Sequence, residues 1–130
     1  MTDEELVASF EAGVVPPGGF HHAEHVRAAW WYARRHPWLT ALDRFRTALR
    51  RFAEAQGKPG LYHETTTTAF VLLVVDRLDR DGAELDWPAF AARNADLLAW
   101  KPSILDRYYD AATLASDRAR RVFVWPDRQR

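Results

Sequence analysis

Four of the five histidines in this sequence fall in two short segments, and each segment contains a glutamate. Residues 21–25 read His-His-Ala-Glu-His, and His63 directly precedes Glu64. Both segments lie where a helix is predicted to begin. The positive potential at a helix N-terminus disfavours imidazolium and favours carboxylate. We therefore expect neutral imidazoles and ionised glutamates, the forms that bind metals or accept protons.

One chemistry that these residues could support is metal binding. His22 and His25 are three residues apart on the predicted helix, so their Cβ atoms lie about 5–6 Å apart and could share one ion. His63 would complete the ligand set, with Glu64 or Glu24 as a fourth ligand or as a base. Three protein ligands and an open position suit Zn²⁺, and two histidines with one carboxylate suit Fe²⁺.

Two other interpretations of the same residues stay open. In a metal-free site, His63 is the general base, Glu64 orients it, and His22 or His25 polarises a substrate. In the structural interpretation, each histidine caps its helix or forms a hydrogen bond in the core, while Glu24 and Glu64 complement the helix dipoles.

Further residues are candidates for binding a substrate. Six Trp, four Tyr and seven Phe are enough for both a core and an aromatic-lined pocket. Trp30, Tyr62 and Thr67 are the candidates near the two histidine segments, and Tyr109 could add a phenol. Arg120 could bind a carboxylate or phosphate in bidentate fashion, although ion pairing within its helix is the alternative.

The element that must position these residues is the most apolar segment of the chain. Residues 65–75 form an unbroken run without a charge, and a helix over about 62–80, stopped by Gly82, accounts for it. Because this helix has no polar stripe, it must pass through the middle of the domain. Its N-terminal end, with His63 and Glu64, is then held beside the core.

The remaining elements are predicted from helix start and stop signals. Thr2, Asp86 and Ser116 are suitable N-caps, and Pro37 ends the helix that carries the first histidine segment. The prediction is an all-α fold: one domain over residues 1–130, with six or seven helices packed around the central apolar helix. An aromatic pocket is expected at the N-terminal end of that helix.

Composition excludes several classes of site. Lys plus Arg and Asp plus Glu each number 18, so no net charge attracts nucleic acid or a membrane surface, and neither is expected as a partner. Without cysteine there are no disulfides, thiolate nucleophiles or Cys-based metal sites. We expect a cytoplasmic protein without a nucleotide or flavin cofactor. Its oligomeric state is left open, a homodimer included.

The sequence elements Phe20 to Val26, Tyr62 to Thr67, and Tyr108-Tyr109 followed by Ser116 to Arg120 resemble those of a known family. It is a family of small, uncharacterised bacterial all-helical proteins. The resemblance covers most of the chain and implies a helical fold, but it supplies no activity.

Three functions are compatible with these patterns. The first is a small enzyme acting on a small organic molecule, through a His/Glu-bound metal or through acid-base catalysis at His63 and Glu64. The second is a non-catalytic module that binds an aromatic or apolar ligand among Trp30, Trp31 and Tyr62. The third is an interaction protein with structural histidines.

Overall fold

The structure is a computed structural model that describes residues 1–128, and only the backbone of Asp81. Every regular element in this range is helical, which confirms the all-α prediction. The α-helices are α1 (Asp3–Glu11), α2 (His22–Arg35), α3 (Trp38–Ala55), α4 (Glu64–Arg77), α5 (Trp87–Arg93), α6 (Ala95–Leu98), α7 (Ala111–Leu114) and α8 (Asp117–Arg121). Short 3₁₀ turns occur at Pro59–Leu61 and Ile104–Arg107, and a π-helical turn at Leu78–Gly82 extends α4.

The centre of the fold is α4, which packs against both α2 and α3. Its buried residues include Phe70, Val71 and Val74, and also Thr65 and Thr68. Because these residues lie on several sides of the helix, α4 has no broad face left for solvent. The central position predicted for the apolar segment is confirmed.

The polar residues of α4 are paired with distant parts of the chain. The Thr65 hydroxyl donates to the carbonyl of Val122 at 2.8 Å and accepts from the amide of Val124 at 3.1 Å. The segment that follows α8 is therefore attached directly to the central helix.

The predicted helix caps are present where the sequence places them. The Thr2 hydroxyl accepts from the amide of Glu5 at 3.0 Å, and the Glu5 carboxylate accepts from the amide of Thr2 at 2.9 Å. Asp86 caps α5 and Ser116 caps α8 in the same way. These interactions satisfy backbone donors that a helix start otherwise leaves without partners.

The number of α-helical segments, eight in the described residues, exceeds the predicted six or seven. One reason is that the helix predicted after Asp86 divides at Asn94. The buried Asn94 amide donates to the carbonyl of Phe90 at 3.0 Å and accepts from Arg77 at 2.8 Å. Arg77 also pairs with Asp96 at 2.8 Å, which holds both short helices against the end of α4.

No helix among residues 1–128 combines the length and the apolar character needed to cross a bilayer.

Candidate functional site

A cavity of about 960 Å³ lies at the N-terminal ends of α2 and α4, with residues of α3 forming another wall. His21, His22, His25 and His63 all line it. The two histidine segments are distant in sequence, but they meet because α2 and α4 pack against each other. The structure thus places four imidazoles around one hollow.

His22 is held in a defined orientation. Its ring lies with its centroid 4.8 Å from those of Phe70 and Trp100, and Nε2 lies 2.9 Å from the carbonyl oxygen of Leu97. Because a carbonyl can only accept, Nε2 carries the proton and Nδ1 keeps the lone pair. Burial lowers the pKa of His22 below its ordinary value of 6.5, and the Leu97 hydrogen bond offsets part of that effect.

His25 lies one turn further along α2, with its ring 4.5 Å from the ring of Phe20. Burial lowers the pKa of His25 to about 4, and the nearby His22 adds to the effect. The backbone of Phe20 opposes the shift through a hydrogen bond. His25 is therefore a neutral imidazole at pH 7, as expected at a helix start.

His63 is the N-cap of α4. Its Nδ1 accepts from the amide of Thr66 at 3.1 Å, and its Nε2 lies 2.7 Å from the carbonyl oxygen of Leu114. One ring nitrogen accepts and the other donates, so no lone pair remains for a substrate proton or a metal ion. This geometry supports the capping interpretation, and the predicted role as general base or ligand would require one of these bonds to break.

The two glutamates also have structural partners. Glu64 is buried and receives hydrogen bonds from two donor groups of Arg46, one of them Nε at 2.8 Å, and from the Tyr62 hydroxyl at 2.7 Å. Burial acts to raise the pKa of Glu64, but these hydrogen bonds outweigh it and hold the pKa below 4.5. Glu24 accepts from the amide of His21 at 2.7 Å. Neither carboxylate is bonded to His63, so the predicted orienting contact from Glu64 is replaced by the pairing with Arg46.

The predicted metal ligands share the cavity but do not form a ligand set. Within the described part of the chain, no three His, Asp or Glu side chains are placed to hold a metal ion. His63 and His22 each have a nitrogen bonded to a backbone carbonyl. The donors as arranged do not fit a three-ligand site for Zn²⁺ or Fe²⁺, and metal binding by His22, His25 and His63 stays a prediction.

Three of the five predicted substrate-binding residues line the cavity, namely Tyr62, Thr67 and Arg120. The other two lie elsewhere. Trp30 is completely buried in the core, with its ring 5.5 Å from that of Trp87. Tyr109 is also buried, and its hydroxyl donates to the carbonyl of Val124 at 2.7 Å. Both are packed in the core and are not among the residues that line this cavity, and their role in binding a substrate stays a prediction.

Three residues that matter at this site were not predicted. Trp100 is half exposed and covers one side of the His22 ring. Lys58 lines the cavity, and Arg46 neutralises Glu64. Lys58 and Trp100 lie just before prolines that end regular structure, and Arg46 is one of several charged residues that alternate with apolar ones along α3, so no local signal distinguished the three.

No family model, curated protein or solved structure matches this chain. The interpretation of the cavity therefore depends on its own geometry.

The pairing of Arg46 with Glu64 should be a major source of stability. Replacing Arg46 with Met leaves a buried carboxylate with only Tyr62 as donor, and we expect a loss of about 2–3 kcal/mol, less than the roughly 3–5 kcal/mol for a fully buried pair because Arg46 is partly exposed. Urea unfolding of both proteins at pH 7 measures this loss in the free energy of unfolding. Arg50→Met is the matched control, since Arg50 lies 3.9 Å from Glu64 and is half exposed; a loss as large as that of Arg46→Met would contradict the assignment.

The pairing should also depend on pH. Because the pKa of Glu64 is below 4.5 in the folded protein, its contribution is complete above about pH 4.5 and is lost as the pH falls through the folded value. The difference in unfolding free energy between the wild type and Glu64→Gln should therefore shrink below pH 4.5.

His25 should make the protein less stable in mild acid. In the unfolded chain His25 takes up a proton near pH 6.5, but in the folded chain it does so only near pH 4. The free energy of unfolding therefore decreases as the pH falls from about 6.5 to 4, and His25 does not affect it above that range. We expect His25 to contribute a loss of about 2 kcal/mol between pH 7 and pH 5. Urea unfolding of His25→Gln should show that this part of the pH dependence has disappeared, while His36→Gln should retain it. Unchanged pH dependence in His25→Gln would contradict a buried neutral imidazole.

Proposed function

We propose that this protein binds a small, largely apolar organic molecule in the cavity between α2, α3 and α4. The observation that carries the proposal is the cavity itself. Its volume of about 960 Å³ lies within the range of ligand pockets, roughly 300–1,000 Å³. Most of its lining is aromatic or aliphatic, with Phe20, Phe45, Phe52 and Phe70 among the walls. A few polar groups among apolar walls are typical of a small-molecule site.

The polar groups of this wall would orient the ligand. Nδ1 of His22 has a lone pair because Nε2 is protonated toward Leu97. The side chains of Thr66 and Thr67 lie at the start of α4, on the same cavity. They can donate and accept hydrogen bonds, so the site can recognise a ligand with an oxygen or nitrogen function on an apolar body.

A second candidate function is metal-free acid-base catalysis, with His22 as the base in place of His63. The observation that favours it is the hydrogen bond between His22 Nε2 and the Leu97 carbonyl. Such a bond fixes the tautomer and the ring orientation, which a catalytic imidazole needs. The lowered pKa of His22 keeps the imidazole neutral and able to accept a proton at pH 7.

The remaining expectations are part of the same proposal. We place the protein in the cytoplasm with a small molecule as its partner, and with neither nucleic acid nor a membrane. The balance of 18 basic and 18 acidic residues supports the expectation that neither nucleic acid nor a membrane is a partner. An interaction protein with structural histidines is favoured less, because only His63 among the cavity histidines has both nitrogens bonded.

Binding can be tested with Nile red, an uncharged dye whose fluorescence increases in apolar surroundings. We expect saturable binding by the wild type and a loss of affinity of at least about tenfold in Ala53→Phe, because an added ring in the cavity overlaps the dye. Ala48→Phe is the control, since Ala48 is partly buried on the same helix but does not line the cavity. Equal binding by both variants, or no binding by the folded wild type, would contradict the proposal.

Catalysis can be tested by the hydrolysis of 2-naphthyl acetate, with His22 taking a proton from the attacking water. The pH-rate profile should rise through an apparent pKa below 6.5, because burial lowers the pKa of His22. His22→Gln should reduce the rate at least about tenfold, a modest part of what a general base contributes. His36→Gln, at the other end of α2, should leave the rate unchanged. A rate preserved in His22→Gln would exclude His22 as the base.

A further inference from the structure

The charge of the cavity wall is one-sided. Among the described residues that line the cavity there is no aspartate or glutamate, but there are two cations, Lys58 and Arg120. The chain as a whole is neutral, with 18 residues of each sign. The absence of acidic groups at this wall is therefore a local property of the site.

The two cations lie at the same part of the rim. Nη1 of Arg120 donates to the carbonyl of Gly60 at 2.6 Å, which places α8 beside the 3₁₀ turn. Lys58 immediately precedes that turn, and Leu61 at its end is 70% exposed. Because Arg120 is bonded to a neutral carbonyl, its charge is not cancelled by that contact. The rim thus combines two positive charges with an apolar side chain.

Three carboxylates that lie close in sequence to the lining residues already have partners. Glu64 is neutralised by Arg46, and Glu24 accepts from the backbone at the start of α2. Asp117, on the same helix as Arg120, pairs with Arg121 at 2.8 Å. Glu64 and Asp117 are thus ion-paired with arginines other than Arg120, whereas Glu24, bonded to a neutral amide, keeps its charge at the start of α2 but does not line the cavity.

The helix dipoles act in the same direction. The helices α2 and α4 are each 14 residues long, and the first turn of each contributes residues to the lining of the cavity. The N-terminal end of a helix carries a partial positive charge and favours an anion nearby. The α4 dipole therefore adds to the effect of the two cationic side chains, because Glu64 in its first turn is paired with Arg46, whereas Glu24 offsets the dipole of α2.

From this arrangement we infer that the occupant of the cavity is an organic anion. It has an apolar body among the phenylalanines and one anionic oxygen group, a carboxylate or a phosphate monoester, at Lys58 and Arg120. A guanidinium binds either group with two parallel hydrogen bonds, and the lysine ammonium supplies a point charge. This inference rests on the proposed function and adds the chemical class of the ligand.

Three matched probes test it: 2-naphthoate, 2-naphthyl phosphate and the uncharged 2-naphthamide. Titration calorimetry at low ionic strength measures the affinity of the protein for each probe. We expect at least one of the two anions to bind about tenfold or more tightly than the amide. The tighter of the two anions identifies the anionic group. Lys58→Gln and Arg120→Gln should each weaken the anion about threefold and leave the amide unchanged. Arg118→Gln, an exposed arginine of α8 outside the cavity, should have no effect.

The outcomes distinguish a failure of the anion inference from a failure of the proposed function. If the protein binds Nile red but binds the amide as tightly as both anions, or binds none of the three, the anion inference is wrong and the apolar site stands. If the folded wild type does not bind Nile red, the proposed function itself is wrong. Should Arg120→Gln fail to fold, Lys58→Gln still decides the matter, because Lys58 is exposed and lies outside any helix.

Discussion

The arrangement of the domain depends on one buried carboxylate. Glu64 begins the central helix inside the protein, where an unpaired charge would be strongly unfavourable. Two hydrogen bonds from Arg46 and one from Tyr62 balance it, and they also join α3 to the start of α4. Since Tyr62 lines the cavity, the pairing that stabilises the helix start also fixes one wall of the site.

His63 and His22, which both line the cavity, differ in their hydrogen bonding. His63 has both nitrogens bonded and holds the first turn of α4 against Leu114. His22 has one nitrogen bonded and the other still able to accept. The histidine next to Glu64 is thus the one whose two ring nitrogens are both bonded. The residue with unused hydrogen-bonding capacity lies across the cavity on α2.

Much of the fold could be predicted from sequence because helix signals are local. The Thr2 cap, the stop at Pro37 and the unbroken apolar run of the central helix each depend on residues within about three turns. The meeting of the two histidine segments was a hypothesis that the sequence did not establish, because no local pattern fixes which helix starts pack together; the packing of α2 on α4 brings them to one cavity. The hydrogen-bond partners of the site residues could not be predicted from the sequence. His63 bonds to a residue 51 positions away and Glu64 to one 18 positions away, and no periodicity encodes such pairs.

The attachment of the chain after α8 to Thr65 has a consequence for how the protein is made. Synthesis proceeds from the N-terminus, and domains generally fold as units. The helices α2, α3 and α4 are made before Val122 and Val124, which bond to the threonine. Arg120, which lines the cavity, is also made after these helices. The contacts of the central helix and the wall of the cavity are therefore completed only after residues 120–124 have left the ribosome.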